Sequence, residues 1–150
     1  MIYLATDHAG FELKEKIKKY LVELGMEVED LGAHEFNPED DYPDFVRPVA
    51  EAVANDPERS RGIIFGGSGQ GEAIVVNKVK GIRAAVYYGG PVDIVKLSRQ
   101  HNDANILSLG ARFITLEQAK EAIKVWLDTK FEGGRHKRRM HKISEFEQER

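Results

Sequence analysis

The chain has 150 residues, a formal net charge of −3, 31% charged and 41% hydrophobic residues, and no cysteine. This length fits one compact soluble domain over residues 1–150, which would bury about two thirds of its unfolded surface. Without cysteine, disulfides, cysteine zinc sites and thiol nucleophiles are excluded, so a metal site would need histidines and carboxylates.

Charge and hydropathy exclude further classes of protein. A pI near 6.0 argues against a general nucleic-acid binder, because such domains usually carry a strongly basic balance. Residues 1–8 lack the basic and apolar segments of a secretory signal, and no stretch approaches the roughly 18 apolar residues of a membrane span. We expect a cytoplasmic protein.

The first third of the chain predicts two strands and two helices. A strand over 2–6 ends in a turn, and a helix follows whose apolar residues recur three and four positions apart, with Gly25 as its stop. A strand over 26–31 and a polar loop over 32–43 come next. Asp44 is expected to cap a second helix, with Pro48 early enough to disturb first-turn hydrogen bonds alone.

The rest of the chain continues the alternation. We expect strands over 62–65, 82–88 and 105–109, and helices over 72–78, from Pro91 to His101, from Thr115 and after Gly134. Thr115 and Gln118 have the spacing of a capping box, followed by an apolar stripe of Leu116, Ala119, Ile123 and Leu127. This alternation predicts a three-layer α/β sandwich around a parallel sheet, with ligands at the carboxyl ends of the strands.

A glycine-rich segment, Gly66-Gly67-Ser68-Gly69-Gln70-Gly71, follows the third strand. Its backbone amides can turn toward one point and bind a phosphate or a developing oxyanion at a helix N-terminus. The spacing is neither that of a P-loop nor that of a dinucleotide-binding fingerprint. The alternative is a tight strand-to-helix turn. Glu72 comes next, either as a carboxylate in the same pocket or as an ordinary acidic residue in a first helical turn.

Asp7 and His8 follow the first strand, at the edge where the glycine-rich segment also emerges. A carboxylate and an imidazole at this edge suit proton transfer near neutral pH. The alternatives are an aspartate that caps the next helix and a structural histidine.

Polar and basic residues lie at or near the ends of the later predicted helices and strands. His101 and Asn102 end a predicted helix, Arg112 follows the fifth strand, and Arg135 and Arg139 lie four residues apart on one helical face. Two guanidinium groups on one face can hold a phosphate. The alternatives are a histidine that complements the helix dipole, a solvated basic face and a nucleic-acid patch, the last disfavoured by the absence of interleaved aromatic residues.

Together these segments resemble ribose-5-phosphate isomerase B, a family that includes galactose-6-phosphate and allose-6-phosphate isomerases. The resemblance runs to about Phe146 and rests on Asp7-His8-Ala9-Gly10, Asp41-Tyr42-Pro43-Asp44, Gly67-Ser68-Gly69-Gln70-Gly71-Glu72, Asn77-Lys78, Ser98-Arg99-Gln100-His101-Asn102 and Glu132-Gly133-Gly134-Arg135-His136.

The resemblance implies a fold, an assembly and a reaction. The fold is an αβα sandwich with a five-stranded, Rossmann-like parallel sheet and a C-terminal helix that extends to a dimer partner. The assembly is a homodimer with active sites between subunits, with pairing into tetramers an open question. The reaction is the interconversion of ribose 5-phosphate and ribulose 5-phosphate through an enediolate, in the non-oxidative pentose phosphate pathway, without metal or cofactor.

The resemblance also implies a role for each matching residue. Asp7 and His101 would open the sugar ring, with Asn102 beside them, Glu72 would move a proton between C2 and C1, and Ser68 would orient a hydroxyl group or the base. The remaining matches would bind substrate. The amides of Gly67, Gly69 and Gly71 would hold the enediolate, and Tyr42 would line the sugar pocket. The phosphate would be held by His8, Arg112, Arg135 and Arg139.

One position departs from the pattern of many members of that family. They carry a cysteine base directly after the third strand, where this chain has Gly66, and they lack the acid at residue 72. The resemblance therefore places this chain in the glutamate branch. Two other functions remain open: an isomerase for a six-carbon sugar phosphate, and a non-catalytic phosphosugar or nucleotide sensor.

Overall fold

A computed structural model describes residues 1–149 and contains a parallel five-stranded sheet with helices on both faces. Its strands are β1 (Ile2–Thr6), β2 (Val28–Asp30), β3 (Arg61–Gly66), β4 (Ala84–Tyr87) and β5 (Ile106–Gly110); its helices are α1 (Phe11–Glu23), α2 (Pro43–Asn55), α3 (Gln70–Val76), α4 (Asp93–Gln100), α5 (Leu116–Asp128) and α6 (Arg135–Gln148). The prediction of an αβα sandwich is confirmed. None of these helices is long and apolar enough to cross a membrane.

The two faces of the sheet carry separate apolar cores. Helices α1, α4 and α5 cover one face, where Ile17, Ile123 and Trp126 pack on β1, β3 and β5, while α2 and α3 cover the other. Strand β3 is buried on both faces, so its apolar run is continuous.

Helix ends follow the expected local chemistry at two places. Helix α1 ends before Gly25, which adopts a φ of 81° that favours glycine. Helix α5 begins with the predicted capping box: the Gln118 amide donates to Thr115 Oγ1 at 3.1 Å, and the Thr115 amide donates to Gln118 Oε1 at 2.8 Å. The buried stripe of α5 is centred on Ala119, Ala122, Ile123 and Trp126, so the predicted stripe lies to one side of it.

Other boundaries differ from the expected ones. Helix α2 begins at Pro43, so Asp44 lies in its first turn instead of capping it, and Pro48 removes a hydrogen bond inside the helix. Strand β2 is half its predicted length, and it is an edge strand that pairs with β1 alone. Helix α4 starts at Asp93, two residues beyond Pro91, and α3 starts at Gln70, which puts Glu72 in its first turn.

The strand order β2-β1-β3-β5-β4 places one crevice at the carboxyl ends of β1 and β3. The chain leaves β1 toward one edge of the sheet and returns to add β3 on the other side. Crevices of this kind are where open α/β sheets bind ligands.

Candidate active site

The glycine-rich loop presents unpaired backbone donors at the end of β3. Among the described residues, the amides of Gly67, Ser68, Gly69 and Gly71 donate no hydrogen bond. Gly69 has a φ of 79°, and its carbonyl accepts a 2.6 Å hydrogen bond from Ser108 Oγ, which ties the loop to β5. A left-handed residue within a run of unpaired amides has the character of an anion-binding nest.

Glu72 lies beside this loop and is only 4% exposed. Its Oε2 has no hydrogen-bond partner among residues 1–149. Burial raises the pKa of Glu72, and the nearby charge of Asp7 raises it further. A hydrogen bond from the backbone amide of Glu72 to its own carboxylate acts in the opposite direction, but the pKa remains raised. A buried carboxylate with a raised pKa and a free oxygen is suited to act as a general base near neutral pH.

The backbone at Gly66 leaves room for that carboxylate. A β-carbon added at residue 66 would collide with the Glu72 carboxyl group. A side chain at residue 66 and the carboxylate of residue 72 therefore compete for the same space.

Asp7 and His8 enter the same crevice from the end of β1. Asp7 Oδ1 accepts a 2.9 Å hydrogen bond from the Ala9 amide, so Asp7 does cap the short 3-10 turn His8–Gly10, while its charge still reaches Glu72. The Nδ1 of His8 donates to Asp40 Oδ1 at 2.7 Å. Because a carboxylate accepts hydrogen bonds, this contact places a proton on Nδ1, so Nε2 is an acceptor in the neutral ring and a second donor in the protonated one.

Tyr42 and Arg112 flank the glycine-rich loop. The Tyr42 hydroxyl lies 2.5 Å from the position of a β-carbon added at Gly71, and Arg112 Nη1 lies 3.2 Å from one added at Gly67. Because Gly71 and Gly67 have no side chains, the Tyr42 hydroxyl and the Arg112 guanidinium can lie close to the unpaired amides of the loop. The expected convergence of the β1 and β3 loops is present in the geometry.

The second group of predicted residues lies at the opposite edge of the sheet. His101 and Asn102 follow α4, just before Asp103, whose carbonyl accepts a 2.9 Å hydrogen bond from Arg83 Nε near the start of β4. The Glu132 amide donates to the Gln100 carbonyl at 3.1 Å, which brings the start of α6, with Arg135 and Arg139, to this same edge.

The two groups cannot meet within one chain. Five-residue strands such as β1 and β5 separate the two edges by roughly 15 Å. A sequence rule gives the same result: in a parallel sheet each helix returns the chain to the amino edge, so a residue that ends a helix lies there. His101 could have been placed in this way from its position at the end of a helix.

The model of the family described as Ribose/Galactose Isomerase matches residues 2–143. The chain belongs to this family.

Among the relatives, ribose-5-phosphate isomerase B of Escherichia coli is 44% identical to this chain over 149 residues. The match covers 99% of this chain and 97% of the relative. A crystal structure of ribose-5-phosphate isomerase B from Mycoplasma genitalium with bound ribulose-5-phosphate is 40% identical and matches with a TM-score of 0.95, covering 99% of this chain and 97% of that one. The Clostridium thermocellum ribose-5-phosphate isomerase B structure is 45% identical, with a TM-score of 0.92 and coverage of 99% and 97%. The resemblance stated from the motifs is confirmed.

Among residues 1–149, two clusters each bring three potential metal ligands within 4.8 Å of one another: Asp7 with His8 and Asp40, and His101 with Glu132 and His136. In the first, His8 Nδ1 is already hydrogen-bonded to Asp40. In the second, the two rings are stacked with an interplanar angle of 11°, so their in-plane lone pairs cannot converge on one ion. The stacked pair of His101 and His136 is therefore not arranged to ligate one ion.

Sequence reasoning missed two residues of the site. Asp40 orients His8, yet in the sequence it is one of several acids in a loop, and only a contact across 32 residues reveals it. His136 stacks on His101. Its signal was weak, because it lies within a basic run that also reads as a solvated face.

Proposed function

We propose that this chain is an aldose-ketose isomerase that interconverts ribose 5-phosphate and ribulose 5-phosphate. One observation carries the proposal: the buried Glu72 carboxylate lies beside a loop of unpaired backbone amides. Isomerisation needs a base that takes and returns a carbon-bound proton, and donors aimed at the oxygen where charge develops. The names of the relatives, one with bound ribulose-5-phosphate, support the same substrate pair.

The proposed chemistry uses only groups of the chain. Glu72 removes the proton from C2 of the open-chain aldose and returns it to C1, while the amides of Gly67, Gly69 and Gly71 hold the enediolate oxygen. Ser68 orients a sugar hydroxyl. The raised pKa of Glu72 brings its proton affinity closer to that needed for a reversible transfer near neutral pH.

Substrate binding is proposed to involve two copies of the chain. His8, Arg112 and Tyr42 lie at the carboxyl edge with Glu72, whereas His101, Asn102, Arg135 and Arg139 lie at the amino edge, roughly 15 Å away. A homodimer, with α6 reaching its partner, would bring the amino edge of one subunit to the carboxyl edge of the other. Phosphate would then be held from both sides by guanidinium groups.

An isomerase assay tests the reaction. Purified protein is given ribose 5-phosphate and, separately, allose 6-phosphate and galactose 6-phosphate, with and without a chelator. We expect turnover of the pentose phosphate, unaffected by the chelator, and loss of most turnover in Glu72→Gln with binding nearly intact. Preference for a hexose phosphate would reassign the substrate. Binding without turnover or solvent-proton exchange would favour a sensor.

Mixing subunits tests the shared site. In a two-subunit site Glu72→Gln and His101→Asn are each inactive alone, but a mixed dimer contains one intact site. Random exchange of equal amounts should restore about a quarter of the unmodified activity. If the two residues acted within one subunit, mixing would restore nothing. A cytoplasmic location and a lack of nucleic-acid binding are part of the same proposal.

A further inference from the structure

The rings of His101 and His136 form a parallel stack. Their centroids are 4.1 Å apart and their planes differ by 11°. His136 is the buried residue of α6, 8% exposed, whereas the side chain of His101 is 38% exposed. His136 therefore covers one face of the His101 ring and leaves the rest accessible.

Backbone contacts fix this arrangement. The Glu132 amide donates to the Gln100 carbonyl at 3.1 Å, and the His136 amide donates to the Gly133 carbonyl at 3.1 Å. The segment that precedes α6 is thus tied to the end of α4, next to His101. Glu132 Oε1 lies 3.8 Å from His101 Nε2, so the imidazole is bounded on one face and at one edge.

The charges around the stack favour a neutral His136. Burial lowers the pKa of His136, and the neighbouring His101 and Arg135 lower it further, with a smaller contribution from Arg139; Glu132 acts in the opposite direction. A neutral His136 places no second positive charge against the face of the His101 ring.

We propose that His136 is a positioning residue, which holds the His101 imidazole in the orientation needed to protonate the ring oxygen of a cyclic aldose phosphate. The inference rests on the proposed function. In that step the bond between C1 and the ring oxygen breaks, the ring oxygen takes a proton from His101, and the anomeric hydroxyl gives its proton to Asp7 as the aldehyde forms. Alignment of the donor matters because proton transfer requires hydrogen-bond geometry.

Only the cyclic substrate needs this step. Ribulose 5-phosphate cannot close a five-membered ring, because the oxygen that would attack its carbonyl carries the phosphate. Exchange of its C1 proton with solvent deuterium therefore requires Glu72 and the loop amides but no ring opening. The two measurements separate the work of His101 from that of Glu72.

The test compares unmodified protein with His136→Ala and His136→Phe. His136→Ala should lower kcat/KM for ribose 5-phosphate about tenfold, a part of the ~10²–10⁴-fold that a well-placed general acid contributes. Deuterium exchange into ribulose 5-phosphate should stay within about twofold of the unmodified rate, because the enediolate step is unchanged. His136→Phe keeps a flat ring on His101 and should restore most of the lost kcat/KM.

Three outcomes would overturn the inference. Equal loss of ribose 5-phosphate turnover and ribulose 5-phosphate exchange in His136→Ala would indicate a general structural role, as would no loss of either. A His136→Phe protein as slow as His136→Ala, with the same thermal midpoint as unmodified protein, would show that stacking is not what matters. If unmodified protein neither isomerised nor exchanged, the proposed function itself would fail, which is a result distinct from these.

Discussion

The Glu72 carboxylate lies against Gly66, in the space that a β-carbon at residue 66 would occupy. Gly66 is not among the residues with positive φ, so glycine is required there for space and not for backbone conformation. The atoms that a new side chain would meet belong to the end of a flexible side chain, so the carboxylate would move before the backbone did. The pair thus offers a way to displace the candidate base without unfolding the chain.

We predict that Gly66→Ala lowers isomerase kcat on the order of 10²-fold, because Glu72, the candidate base, is displaced from the loop amides. The free energy of unfolding should change by about 1 kcal/mol or less, since alanine suits this backbone conformation. Steady-state kinetics and urea unfolding measure the two quantities.

A double-mutant cycle supplies the control for this prediction. In a Glu72→Gln background, Gly66→Ala should cost little additional activity, because the candidate base is already absent. Equal effects of Gly66→Ala in both backgrounds would contradict the link between the two residues.

The parts of the fold that the sequence predicted are those encoded by local patterns. Continuous apolar runs identified β3 and β5, helical spacing identified α1, and Thr115 with Gln118 marked the start of α5. Boundaries were less accurate at β2, whose paired residues, Val28–Asp30, are set by a register with β1 that the local pattern does not contain.

The candidate site was predictable where it follows a strand. Asp7 and the glycine-rich loop both leave the carboxyl edge, so their proximity follows from the parallel sheet. The contact between His8 and Asp40 joins residues 32 positions apart through an irregular loop, and no periodicity encodes it. The stack of His101 and His136 depends on how the segment before α6 folds back on α4, which is likewise a tertiary event.

Glu72 should make the stability of the fold depend on pH. Its pKa is raised in the folded chain, first by burial and then by Asp7, so folding binds a proton between the ordinary glutamate pKa and the raised one. The contribution of Glu72 to the free energy of unfolding is therefore fully present below the pKa that Glu72 has in the unfolded chain. It is lost as the pH rises through the pKa of Glu72 in the folded chain.

We accordingly predict that Glu72→Gln raises the thermal midpoint at neutral pH, and that the gain disappears below the ordinary pKa of glutamate. Thermal unfolding across pH, with exposed Glu58→Gln as the matched control, measures this. The rising limb of kcat/KM in unmodified protein should also lie above the ordinary glutamate range. A stabilisation that is the same at all pH values would contradict the assignment.

Asp40 is predicted to act on phosphate binding through His8. It accepts hydrogen bonds from both the His8 amide at 2.9 Å and the His8 ring at 2.7 Å, so Asp40→Ala frees the ring. We expect KM for ribose 5-phosphate to rise about tenfold, with a smaller change in kcat, because oriented donors at the phosphate contribute mainly to positioning.

Two variants control for this effect. Asp40→Asn keeps an acceptor for both hydrogen bonds and should fall between the unmodified protein and Asp40→Ala. Asp41→Ala, at the exposed neighbouring position, should leave KM unchanged. A loss confined to kcat in Asp40→Ala would show that Asp40 does not act through phosphate binding.

A buried ion pair supports the loop that carries Asp40. Lys14 is fully buried, and its Nζ donates at 2.7 Å to both oxygens of Asp30 and to the carbonyl of Ala33. Burial alone would raise the pKa of Asp30, but the Lys14 hydrogen bond and charge, with the Gly32 amide and Lys18, outweigh it and lower that pKa. The contribution of the pair to stability is therefore present above the ordinary aspartate pKa and lost as pH falls through the lowered one.

We predict that Lys14→Met lowers the free energy of unfolding at pH 7 by about 3 kcal/mol, because it leaves a buried carboxylate short of its principal partner. The double variant Lys14→Met with Asp30→Leu should recover part of this loss. Lys16→Met, which removes an exposed pair with Glu12, should cost no more than about 0.5 kcal/mol. Urea unfolding gives all three values, and a Lys14→Met protein as stable as Lys16→Met would show that the buried pair does not stabilise this loop.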